Sequence, residues 1–68
     1  MASVRLIING ESRDMNNART LTELLIALEM SGRFAIEVNG EIVPRGRYPD
    51  FQLSGNDTIE IVRAIGGG

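Results

Sequence analysis

The 68-residue chain contains no cysteine, no histidine and no lysine. Each absence removes a chemistry. Without cysteine no disulfide can staple so small a domain, and a thiol nucleophile or a thiolate metal site is excluded. Without histidine the usual general base and the commonest transition-metal ligand are gone too, leaving carboxylates, hydroxyls and a single tyrosine. All seven cations are arginine, and a chain that carried an activated acyl group would gain from having no ε-amine to attack it. No long apolar run follows the start Met1-Ala2-Ser3-Val4-Arg5, so neither a signal peptide nor a membrane span is expected. The chain reads as cytoplasmic. A formal charge of −2 and a pI near 4.9 argue against a broad phosphate-binding face, so nucleic acid is not an expected partner.

What remains is an ordinary globular composition, 43% hydrophobic. A chain of this length has room for one core and little more, which predicts a single domain over 1–65 and a glycine tail over 66–68. Val4, Leu6 and Ile8 alternate with Arg5, Ile7 and Asn9, the period of a strand with one buried face. Asn9-Gly10 turns it back into a more polar edge strand over Glu11 to Met15. Thr20 with Glu23 fits the capping box of a helix, and Leu21, Leu24, Leu25 and Leu28 follow as one apolar stripe. Gly32 is the expected stop, giving a helix of about 21 to 31. Phe34, Ile36 and Val38 mark a third strand, Asn39-Gly40 a second turn, and Glu41-Ile42-Val43 a short strand closed by Pro44. From Arg45 to Ser54 the pattern is irregular, with Tyr48, Phe51 and Leu53 as anchors. Thr58 to Ile65 gives a last strand, apolar enough on both faces to be central and partly buried on each.

The most apolar strands, first and last, should be neighbours and therefore parallel. The expected fold is α+β: a ubiquitin-like β-grasp, a mixed four- to five-stranded sheet packed on one main helix. Such a sheet aims Gly66-Gly67-Gly68 away from its end. Glycine removes every side chain and tolerates angles barred to other residues, so a carboxylate on this segment could thread a narrow channel. Three extended residues reach about 10 Å. A frayed end is the competing explanation.

Three stretches then carry a resemblance along nearly the whole chain: Thr20-Leu21-Thr22-Glu23-Leu24-Leu25 with Leu28, Val38-Asn39-Gly40-Glu41-Ile42-Val43-Pro44-Arg45 with Tyr48, and Ile59-Glu60-Ile61-Val62 running into Gly67-Gly68. In this order they resemble ThiS, the family of sulfur-carrier proteins of thiamin biosynthesis. The turn Gly55-Asn56-Asp57-Thr58-Ile59 is one residue longer than the family's usual pattern. The resemblance implies a cosubstrate and no catalysis by the chain itself. It implies that an ATP-dependent adenylating enzyme of the ThiF type activates the Gly68 carboxylate. Sulfur from a persulfide protein or sulfide then displaces AMP, and the thiocarboxylate serves a thiazole synthase of the ThiG type. Gly67 and Gly66 would give access to the partner's channel, no cofactor would be bound, and ATP would be used by the partner. The chemistry is sound, because a terminal carboxyl with a pKa of about 3.3–3.7 is an unreactive anion at neutral pH until it is joined to a leaving group.

Two alternatives stay open on the residues alone. One is a related carrier such as the MoaD-like small subunit of molybdopterin synthase. The other is a ubiquitin-like modifier or interaction module. Candidate docking residues are Arg45, Arg47 and Tyr48, where guanidiniums sit beside an aromatic, and Glu60 and Arg63, with Arg5, near the tail. Asp14, Asp50 and Asp57 are scattered through turn sequences and suggest no metal site.

Overall fold

The computed structural model describes residues 3–16 and 18–63. Asn9 and Gly10 take φ angles of +50° and +85°, and Asn39 and Gly40 take +53° and +88°. These left-handed pairs are what a two-residue hairpin loop needs. The first hairpin sets β1 (Ser3–Ile8) antiparallel to β2 (Glu11–Asn16), and the second sets β3 (Phe34–Val38) antiparallel to β4 (Glu41–Val43). Between them β5 (Thr58–Arg63) lies parallel to β1 and antiparallel to β3. The order β2-β1-β5-β3-β4 makes one mixed sheet of five strands. With one helix packed on it, this is the expected β-grasp.

The helix α1 spans Leu21–Ala27, and every one of its first backbone donors has a partner. The Leu21 and Thr22 amides donate to the carbonyls of Phe51 and Tyr48 at 3.2 and 3.3 Å, the Glu23 amide to Thr20 Oγ1 at 3.2 Å, and the Leu24 amide to the Thr20 carbonyl at 2.9 Å. Glu23 closes the capping box by accepting from the Thr20 and Arg19 amides at 3.3 and 2.7 Å. Satisfying these orphan groups is what an irregular segment can do at a helix start. The stretch from Arg45 to Ser54 is therefore a strap across the N-terminus of α1.

The helix is shorter than the expected 21 to 31, and Gly32 does not stop it. Leu28 is the C-cap, Glu29 takes a φ of +56°, and the Glu29 and Met30 amides donate back to Ile26 and Leu25 at 3.0 Å each. That pair of bonds is a Schellman closure with glutamate in the position that usually holds glycine. Leu25 belongs to the core cluster and Met30 packs against that cluster.

Leu6, Leu21, Leu24, Ile36 and Ile59 are the largest side chains with no exposure to speak of, and they join strand to helix across the core. Burying such a side chain contributes about 1.5–3 kcal/mol relative to exposing it. Among the described residues only one face of the sheet is covered. On β5, Ile59 and Ile61 are buried, whereas Glu60 is exposed and Val62 is 58% exposed. The expectation that both faces of the last strand are partly buried is corrected: a single helix covers one face, and the other is left open.

Candidate functional site

The Gly66, Gly67 and Gly68 assignments lie outside the described residues, as do Ala64 and Ile65. What the structure describes is their base. Strand β5 makes five register pairs with β3, from Phe34↔Arg63 to Val38↔Ile59, and it runs beside β1 at Ile7↔Thr58 and Ile8↔Ile59. The asparagines of both hairpin turns reach onto it as well. Asn39 Oδ1 accepts from the Thr58 amide at 2.9 Å and Asn9 Oδ1 from the Ile61 amide at 2.8 Å. Asn39 Nδ2 donates to Asp57 Oδ1 at 3.0 Å, and Asp57 Oδ2 accepts from the Ser54 amide at 2.8 Å. Asp57 thus holds the turn before β5.

Beyond Ile8 strand β1 turns away, so the Ile61 amide has no strand partner on that side. Asn9 supplies the missing acceptor. In consequence β5 is anchored on both sides up to Ile61, two residues before the end of the described segment. Ile59 and Ile61 fix its inner face in the core.

The docking candidates divide. Tyr48 is 7% exposed and belongs to the core cluster, so its ring is not offered to a partner. It packs inward because the strap that carries it must cover the start of α1. Burial raises the phenol above its ordinary pKa, and the charge of Arg45 opposes this. Arg45 and Arg47 are exposed on a 3-10 turn, Arg45–Arg47. Glu60 and Arg63 are both exposed but lie on opposite faces of the sheet, because they are an odd number of residues apart. They cannot belong to one flat surface.

Arg63 continues the inner row of Ile59 and Ile61, and its Nη1 lies 4.0 Å from where a Cβ on Gly32 would sit. Val43 and Ile61 both oppose Ile36, so the chain leaves β4 toward Arg45 at the end where β5 reaches Arg63. Arg33, which precedes β3, joins Arg63 at this end. Sequence reasoning did not single out Arg33. Arg5 is occupied: its Nε donates to Asp14 Oδ1 at 2.9 Å between exposed side chains. That bond first, and then the charge of its partner, raises the arginine and lowers the aspartate from their ordinary values.

Among the described residues no group of three or more carboxylates is placed to hold a metal ion, and no helix is long and apolar enough to cross a membrane. The described indentations are shallow. One of about 200 Å³ lies between β4 and the strap, lined by Glu41, Ile42, Pro44, Arg47 and Phe51 among others.

Compared with known proteins, residues 6–68 match the ThiS family. A thiazole synthase of Paramagnetospirillum magneticum is 41% identical over 66 residues, 96% of this chain and 20% of that protein. A thiazole synthase of Magnetococcus marinus is 36% identical with the same coverage. The chain thus spans about a fifth of the length of these curated relatives. The sulfur carrier protein ThiS of Bacillus subtilis is 38% identical over 65 residues, 93% of this chain and 98% of that protein. Among solved structures, the thiamine biosynthesis protein ThiS from Geobacter metallireducens superposes with a TM-score of 0.81 at 29% identity, covering 96% of this chain and all of that one.

Proposed function

Since the chain belongs to the ThiS family, we propose that it is a sulfur carrier for the thiazole of thiamin, a cosubstrate with no catalysis of its own. The observation that carries this is the extent of the family match, which runs through Gly67 and Gly68 to residue 68. In this proposal a ThiF-like adenylating enzyme consumes ATP to join AMP to the Gly68 carboxylate, which cancels its charge and supplies a leaving group. Sulfide then attacks the carbonyl and expels AMP, so that Gly68 ends in a thiocarboxylate. A persulfide protein would first give an acyl disulfide, which a thiol then cleaves to the thiocarboxylate as the two donor sulfurs form a disulfide. Gly66 and Gly67 serve access, and the chain needs no bound cofactor.

The similarity to segments within longer thiazole synthases favours a ThiG-like thiazole synthase as acceptor over the large subunit of molybdopterin synthase. The anchoring of β5 in the core up to Ile61 supports a reaction carried by the residues after it. Incubation with the adenylating enzyme, ATP and sulfide, followed by intact-mass measurement, is expected to show exchange of one oxygen for sulfur at Gly68. An unchanged mass would refute the carrier assignment, and adducts retaining the Gly67-Gly68 remnant on lysines of other proteins would favour a modifier instead.

A further inference from the structure

The tips of the two hairpins, Asn9-Gly10 and Asn39-Gly40, are exposed and share one latent reaction. A glycine nitrogen that has lost its proton can attack the side-chain carbon of the asparagine before it, closing a succinimide ring and expelling ammonia. Water then opens the ring on one side or the other. One product is aspartate, and the other is isoaspartate, in which the backbone runs through the former side-chain carbon. Glycine permits the closure because it has no Cβ to obstruct the approach. Among the described residues nothing beyond the adjoining ones comes within 4 Å of where a Cβ would sit on Gly10 or Gly40, so neither tip is roofed by another element.

The two sites are almost the same locally. Ile8-Asn9-Gly10-Glu11 differs from Val38-Asn39-Gly40-Glu41 by one methylene, and the φ angles of the Asn-Gly pairs agree within 3°. What separates them is how each side chain is held. The amide must let go of its partners across the sheet before its carbon can meet the next nitrogen. Asn39 has two partners, the Thr58 amide on Oδ1 at 2.9 Å and the Asp57 carboxylate on Nδ2 at 3.0 Å, and Asp57 is itself fixed by the Ser54 amide at 2.8 Å. Asn9 has one, the Ile61 amide on Oδ1 at 2.8 Å, and among the described residues its Nδ2 has none.

The single bond at Asn9 is also the more consequential. Backbone bonding between β1 and β5 stops at the Asn9 amide and the Ile59 carbonyl, 2.9 Å apart. Beyond that point the Asn9 side chain is what ties the first hairpin to β5. We propose that Asn9 is a self-modification site, converted to isoaspartate through attack by Gly10, and that the conversion releases the Ile61 amide and loosens the far end of β5. Isoaspartate inserts one atom into the backbone of a two-residue loop whose geometry is fixed, which disturbs the closing pair Ile8↔Glu11. Its carboxylate sits directly on the α-carbon and no longer reaches Ile61. Aspartate, the other product, keeps an acceptor oxygen in place and leaves β5 held. The change in β5 thus comes from one product of the two.

The test uses the full chain, warmed at mildly alkaline pH in water enriched in ¹⁸O and then cleaved after arginine. Asn9 and Asn39 fall on separate peptides, Leu6 to Arg13 and Phe34 to Arg45. Mass follows the exchange of NH for labelled oxygen at each, and an isoaspartyl methyltransferase with a labelled methyl donor counts the isoaspartate. In the folded chain Asn9 is expected to convert about two- to ten-fold faster than Asn39, the worth of one extra hydrogen bond, and in urea the two rates should converge. Asp57→Ala, confirmed as folded by circular dichroism, should raise the Asn39 rate toward that of Asn9. Hydrogen exchange at the Ile61 amide should quicken in the isoaspartyl fraction and stay slow in the folded variant Asn9→Asp. The proposal would be overturned by Asn39 converting as fast as Asn9 in the folded chain, or by no conversion at Asn9. It would equally fail if the rate ratio persisted in urea, if Asp57→Ala left Asn39 unchanged, or if Ile61 stayed protected in the isoaspartyl form.

Discussion

Glu29 closes α1 at a φ of +56°, a conformation in which an L side chain crowds the following carbonyl at a cost of about 1–2 kcal/mol. Its side chain makes no hydrogen bond among the described residues to offset that. Glu29→Gly is therefore expected to stabilise the fold by about 0.5–1 kcal/mol, since glycine relieves the crowding and gives back part of the gain as unfolded-chain entropy. Urea unfolding would read the change as a higher midpoint at constant slope. Tyr48 poses a question of pH. Its folded phenol has a raised pKa, from burial first, so its contribution is fully present below the ordinary tyrosine value near 10 and is lost as pH rises through the folded value. Tyr48→Phe should accordingly lose less stability than the parent between about pH 9 and 12, a comparison that thermal melts across that range would settle. A parallel alkaline decline in both proteins would contradict the assignment.

The helix start shows how one element recruits another. Thr20 and Glu23 were legible as a capping box because the motif is local, four residues long, and independent of the rest of the fold. The further partners of Leu21 and Thr22, the carbonyls of Phe51 and Tyr48, were not legible, because nothing in an irregular loop announces which donors it will meet. Thr20→Ala removes the side-chain acceptor at the N-cap and should cost about 1 kcal/mol, read as a lower urea midpoint. The stop of the same helix was misplaced for a related reason. Gly32 offered the obvious signal, but the chain had already turned at Glu29, where the Met30 amide donates to the Leu25 carbonyl and Met30 packs against the core cluster, so tertiary packing outweighed the local preference. The Asn-Gly turns announced themselves and their positive φ angles. That Asn9 also holds Ile61, 52 residues away, depends on β1 ending where β5 continues.

Among the described residues the core runs from Leu6 to Ile61. A chain shortened to end at Ile65 should fold with an unchanged thermal midpoint and yet gain no sulfur, measured by circular dichroism and by mass. Continued thiamin synthesis in cells holding only that form would contradict the carrier role. The five strands, both hairpin turns, the start of α1 and the central place of β5 could be read from periodicity and turn residues, because those signals are written in neighbouring positions. The sequence by itself thus determined the elements and their parallel and antiparallel pairing. Only the tertiary structure decided that Tyr48 is core and not surface, that Glu60 and Arg63 part to opposite faces, and that Glu37 pairs with Glu60 on a face that no described element covers. Those outcomes depend on register between strands distant in the chain and on one helix being too small to cover two faces.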